Sequence, residues 1–127
     1  MAIRTELSLR LKNSPGEVGQ LCQHLLDERI NIFALNLEAG GILRLVADNP
    51  LNAAATLRNK QYSVTEREVL FVQLPNNPGA LQNTTGALFK AGINIDYLYG
   101  SALEDHSIAV LIVAVEDVKR VAMVTGI

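Results

Sequence analysis

Leu11-Lys12-Asn13-Ser14-Pro15-Gly16 returns as Leu74-Pro75-Asn76-Asn77-Pro78-Gly79, 63 residues later. At the same spacing Leu25 returns as Leu88, Ile30-Asn31-Ile32 as Ile93-Asn94-Ile95, and Leu35 as Leu98. No gap is needed. A fixed spacing of this kind means one small unit copied in tandem. Each copy is roughly 60 residues, the small end for a stable core, so each should lean on a neighbour. The natural division is 1–68 and 69–127.

Both copies read alike. Leu7, Leu9 and Leu11 alternate with polar residues, as in a half-buried strand. Ser14-Pro15-Gly16 breaks that strand. Val18, Leu21, Cys22, Leu25 and Leu26 then form one apolar face of a helix, with Pro15 suited to its first turn. Ile30 to Leu37 predicts a second strand, and Gly40-Gly41 a tight hairpin with positive φ angles. Ile42 to Ala47 is a third strand. Asp48 or Asn49 caps a second helix, with Pro50 at its first position and its end near Lys60. Tyr62 to Arg67 is a fourth strand, running directly into Val69–Leu74, the first strand of the second copy. There the helix spans about Gly79 to Ala91, the next strands are Ile93–Tyr99 and Ile108–Val115, and a last helix runs from Asp117 to Thr125-Gly126. No fourth strand follows. Either the chain is trimmed or that strand comes from elsewhere.

Strand-helix-strand-strand-helix-strand is the ferredoxin-like order. The predicted fold is therefore α+β: two tandem ferredoxin-like βαββαβ units, antiparallel sheets with helices on one face, the second unit lacking its last strand. Fold alone says nothing about activity.

The repeated turns carry more chemistry. The first N–H groups of a helix lack partners and favour an anion by roughly 0.3–1 kcal/mol, up to about 2 when partly buried. Gly16 and Gly79 let a ligand approach the backbone. Asn13 and Asn76 each offer a donor and an acceptor. Such a turn suits a carboxylate on the helix amides and an amino group on the Asn oxygen, the two ends of an amino acid. Asn-x-Pro-Gly is also a plain turn and cap. Asn31 and Asn94 stand at strand entrances, where they close a turn or reach a ligand across an interface.

Strand, Asn-x-Pro-Gly, amphipathic helix, Ile-Asn-Ile and strand, in order and twice, resembles the ACT domain. The resemblance covers both halves and is closest to stand-alone tandem ACT proteins. It implies a regulatory module without a catalytic domain, binding an amino acid between paired modules. The turn Asn of one module and the strand-entrance Asn of its neighbour would contact the ligand. Carried onto this chain, the first site comprises Asn13, Ser14, Pro15, Gly16, Glu17 and Val18, and the second Asn76, Asn77, Pro78, Gly79, Ala80 and Leu81. Asn31-Ile32 and Asn94-Ile95 supply the strand entrances. Serine-sensing members often place a His two residues before the turn Asn; here Leu11 and Leu74 stand there, which points to a more apolar ligand. The second turn is richer in amides and is the preferred site. Glu17 equally suits the first turn of any helix. Tyr97 and Tyr99 are read as strand packing.

Other chemistry finds little support. Of the 127 residues, 49% are hydrophobic and 19% charged, and the net charge is −2, an ordinary globular balance with no basic run for nucleic acid. One cysteine, Cys22, permits no internal disulfide and reads as an inert core residue in a reducing, cytoplasmic setting. The first residues lack a signal-peptide core, and the longest apolar run is too short to span a membrane. His24 and Asp105-His106 have no second cluster for a metal. No phosphate loop, nucleophile elbow or Cys-x-x-Cys pair occurs. An enzyme is not expected, and no cofactor.

The alternative is an accessory subunit that binds an amino-acid-metabolism enzyme; an unpaired alternating strand near Val69–Val72 would favour it. A nucleic-acid module ranks last, with Phe71 the only aromatic of its strand. Unpaired sheet edges predict a homodimer.

Overall fold

The computed structural model describes residues 1–125. The order is β1 (Ala2–Arg10), α1 (Glu17–Asp27), β2 (Ile32–Leu37), β3 (Ile42–Ala47), α2 (Pro50–Asn59), β4 (Thr65–Pro75), α3 (Ala80–Lys90), β5 (Ile95–Ser101), β6 (Ile108–Val115) and α4 (Val118–Thr125). The Gly126 end assigned to the last helix lies outside the described residues.

The chain divides into two compact units. Thr5–Arg67 forms the first. Its β1 and β2 both run antiparallel to β3, with Leu7 opposite Leu45 and Leu37 opposite Leu43. Leu7, Leu9, Leu43 and Leu45 share one sheet face and pack against Leu21 and Leu25 of α1 and Ala53 and Leu57 of α2. Both helices therefore lie on that face. Met1–Arg4 and the chain from Glu68 onward form the second unit. Its β4 and β5 run antiparallel to β6. Leu70 pairs with Val113, the same register as Leu7 with Leu45. Leu70, Val72 and Val113 meet Leu88 of α3 and Val118 and Val121 of α4.

Among the described residues, the place where a fourth strand of the second copy would lie is filled from the start of the chain. The opening of β1 groups with this unit and takes the place beside β4. Arg4 sets its guanidinium 5.7 Å from the ring centre of Phe71, a cation–π contact. The strand read from Tyr62 begins at Thr65 and continues unbroken as β4.

Helix ends explain where the strands begin. After α1, Arg29 takes φ 56; its N–H bonds the Leu26 carbonyl, and the Ile30 N–H bonds the Leu25 carbonyl. This is a Schellman ending. It recurs after α2 at Gln61, φ 74, and after α3 at Gly92, φ 72. Ile30 and Ile93 are thus spent on ending a helix, so β2 starts at Ile32 and β5 at Ile95, two residues later than expected. A register shift follows in each, between Ile32 and Ala34 and between Ile95 and Tyr97. Arg29 holds a left-handed conformation that costs an L-residue roughly 1–2 kcal/mol, where the second copy has glycine. Arg29→Gly should therefore stabilise the protein by about 0.5–1 kcal/mol after the added unfolded-state entropy of glycine. Urea denaturation checks this.

Several local expectations are corrected or narrowed. Pro15 precedes the helix cap instead of opening the helix, because Gly16 is the N-cap and α1 starts at Glu17. Of the Gly40-Gly41 pair only Gly41 has positive φ, +92. Leu26 does not join the core: it is 64% exposed, and Cys22 is half-buried. Asn49, not Asp48, caps α2, accepting from the Asn52 N–H at 3.2 Å.

Candidate functional site

The two turns have the same backbone. Gly16 has φ 89 and ψ −9; Gly79 has φ 89 and ψ −12. That left-handed conformation, not crowding, requires glycine, since a Cβ at either would meet nothing within 4 Å. The cap carbonyls accept the first helical bonds, from Gln20 at 2.9 Å and Asn83 at 3.0 Å. No side chain caps either helix. The first-turn N–H groups around Val18 and Leu81 are open, partially positive and at the surface.

The turn asparagines differ. Asn13 is exposed. Beside it Ser14 Oγ donates to Glu17 Oε1 at 3.2 Å. Asn76 is a clamp. Its Nδ2 donates to the Leu103 carbonyl at 2.9 Å and the His106 carbonyl at 2.8 Å. Its backbone N–H donates to the Ser107 carbonyl at 2.9 Å. The side-chain amide thereby holds the β5–β6 connection against the turn, leaving Oδ1 to accept. Asn76→Ala should cost about 1–2 kcal/mol, two net hydrogen bonds, and speed amide exchange in residues 103–107. Hydrogen exchange read by mass spectrometry measures both.

The strand-entrance asparagines lie at the other end. Asn31 exchanges two bonds with Asp48: its N–H reaches Asp48 Oδ1 at 3.1 Å, and the Asp48 N–H reaches its carbonyl at 3.0 Å. Asn94 borders a polar cleft of about 180 Å³ with Asp96, Glu116, Asp117 and Arg120. In each unit the first turn of the copy faces the end of the next strand, not its start. Arg10 pairs with Ile42 beside Leu37–Leu43, whereas Ile32 pairs with Ala47. About five residues of strand separate the two ends, roughly 16 Å at 3.3 Å per residue. Asn13 and Asn31 do not meet within the first unit, nor Asn76 and Asn94 within the second.

A cleft adjoins each turn. Beside the first it holds about 90 Å³ and is lined by Leu11, Lys12, Asn13, Glu17, Val18, Leu37 and Glu38, among others. Glu38 is paired with Arg44. Beside the second it holds about 360 Å³ between Leu74, Leu81, Leu98, Gly100, Ala102 and Leu111. The hairpin walls, Leu37, Glu38, Leu98 and Gly100, escaped the sequence reading. Continuing the 63-residue spacing past Leu35 and Leu98 would have found them. Tyr97 and Tyr99 oppose Ala114 and Ile112. They therefore lie on the sheet face away from Leu98 and this cleft. Among the described residues no group of three or more His, Cys, Asp or Glu is placed to hold a metal. Asp105 and His106 form an exposed pair at 3.1 Å. No helix among the described residues is long and apolar enough to cross a membrane.

A family model describing an ACT domain pair matches residues 1–125. The chain belongs to the ACT domain pair family. The fold agrees. A crystal structure of a protein from Bacteroides thetaiotaomicron superposes with TM-score 0.88 at 28% identity, covering 96% of this chain and 85% of that one. The ligand-free regulatory subunit of aspartate kinase from Thermus thermophilus gives TM-score 0.67 at 17% identity, covering 89% and 85%. E. coli aspartokinase III, in complex with lysine and aspartate, gives 0.63 at 16%, covering 98% of this chain and 31% of the enzyme. No curated protein sequence matches this ACT pair.

Proposed function

We propose that this ACT domain pair is a non-catalytic regulatory protein that binds an amino acid at its strand-to-helix turns. The observation that carries the reading is the doubled turn itself: a left-handed glycine cap at φ 89, no side chain on the helix, and an Asn three residues earlier. Open N–H groups suit a carboxylate, and an Asn oxygen suits an ammonium. Likeness to a structure holding lysine and aspartate is in keeping with such a ligand. Because turn and strand-entrance asparagines are separated within a unit, a site using both needs a neighbouring module, and a homodimer is the proposed assembly. The proposed domains are 1–68 and 69–127, and the proposed location is the cytoplasm.

A thermal-shift screen of the twenty amino acids at millimolar concentration tests this. A ligand of the folded state adds RT ln(1 + [L]/Kd), about 2.7 kcal/mol at a hundredfold excess over Kd. A selective rise in Tm is expected. A uniform absence of shift contradicts the reading.

An accessory role on an amino-acid-metabolism enzyme is the second reading. The strand named as its marker does not support it: Val69, Leu70 and Val72 are buried and β4 is paired to β6. A different edge does. On β2, which among the described residues ladders only to β3, Phe33, Leu35 and Leu37 are all exposed, an apolar strand edge of the kind that pairs with another chain.

A further inference from the structure

We infer that the second turn takes an amino acid with a branched aliphatic side chain and that the first turn does not; this rests on the amino-acid reading above. The two clefts share lining positions at the repeat spacing, while the counterparts of Lys12, Asn13, Ser14 and Glu17 do not line the second. Leu11 corresponds to Leu74, Val18 to Leu81 and Ala39 to Ala102 at the repeat spacing. The position that decides is Leu37, which corresponds to Gly100. Leu37 fills part of the first cleft. Gly100 brings no side chain and tolerates none, since a Cβ there would lie 2.6 Å from the Val110 carbonyl oxygen. On the hairpin side of the turn the space grows from about 90 Å³ to about 360 Å³; the first turn's other side borders a separate cleft of about 460 Å³ that also holds charged residues, Arg10, Glu17 and Lys60 among them.

Charge changes with it. The first cleft holds Lys12, Glu17 and Glu38. The second copy replaces them by Pro75, Ala80 and Ser101. No charged residue lines the second cleft, so a ligand with a charged side chain would lose water there and gain no partner. An aliphatic side chain gains from every methylene withdrawn from water. The exposed Leu81 and Leu98 then have an occupant. The carboxylate reaches the open N–H groups at the start of α3, and the ammonium reaches Asn76 Oδ1, whose amide is already fixed by the Leu103 and His106 carbonyls.

The test is calorimetric titration of the full chain with glycine, alanine, valine, leucine, serine, aspartate and lysine. One leucine per chain is expected. Affinity should rise from alanine to leucine by roughly fourfold per methylene. Leu81→Glu should abolish leucine binding with the circular dichroism unchanged; Leu98→Asn should do the same if Leu81→Glu folds poorly. Tighter binding of aspartate, lysine or serine overturns the aliphatic assignment while leaving the amino-acid reading intact. Two leucines per chain overturn the asymmetry. No binding by any of the seven overturns both.

Discussion

Gly41→Ala should cost about 3 kcal/mol of folding stability, read as a lowered urea midpoint at unchanged m value. Two costs combine. Gly41 has φ +92, a region that costs an L-residue roughly 1–2 kcal/mol. A Cβ there would also lie 2.8 Å from the Leu11 carbonyl oxygen, and neither party is a flexible side-chain end. The Leu11 N–H donates to the Gly41 carbonyl at 2.8 Å, and the Gly41 N–H to Glu38 at 2.9 Å. Relief of the overlap therefore loosens the β2–β3 hairpin from the end of β1, where the first turn begins. A loss under about 0.5 kcal/mol, the scale of an inert surface change, would show that the hairpin shifts freely.

Leu25→Ala and Leu26→Ala should differ sharply. Leu25 is 1% exposed and sits in the first unit's core. Truncating such a leucine costs about 2–5 kcal/mol through lost transfer energy and the cavity left behind. Leu26, 64% exposed, should change stability by no more than about 0.5 kcal/mol. Equal losses would place both on the packed face, as the helical period alone suggests. A period fixes a stripe of roughly the right angle. It does not say how far the covering sheet reaches across that stripe.

The same distinction separates what was legible in the chain from what was not. Strand alternation at Leu7, Leu9 and Leu11 and the repeat itself announced the two ferredoxin-like units, because both are periodic and local. Helix ends near Lys60 and Ala91 were read to within a residue, but the residues that follow an ending were misassigned. Ile30 and Ile93 look like strand residues, yet their N–H groups belong to the preceding helix, a choice made by Arg29 and Gly92 one position earlier. Arginine gives no sign of a left-handed conformation. The strand beside β4 in the second unit could not be read either, since Met1–Arg4 lies more than a whole unit away in sequence. At the turns, Asn-x-Pro-Gly marked the break between strand and helix but not that Gly16 and Gly79 are the caps, since Pro15 was read into the first helical turn. The role of Asn76 was not legible either, because its partners, the Leu103 and His106 carbonyls, lie in an irregular connection without pattern. The clefts were half legible: Leu11 and Leu74 pointed to an apolar ligand, while Gly100, read as the start of the connection after Tyr99, belongs to β5 and lines the cleft.

The most direct test of the account is an amide NMR titration of the full chain with leucine. Shifts concentrated at Gly79–Gln82, Leu98 and Gly100, saturating at one leucine per chain, are the predicted result. Shifts centred on Asp96, Glu116 and Arg120, or no shift at millimolar leucine, would contradict it.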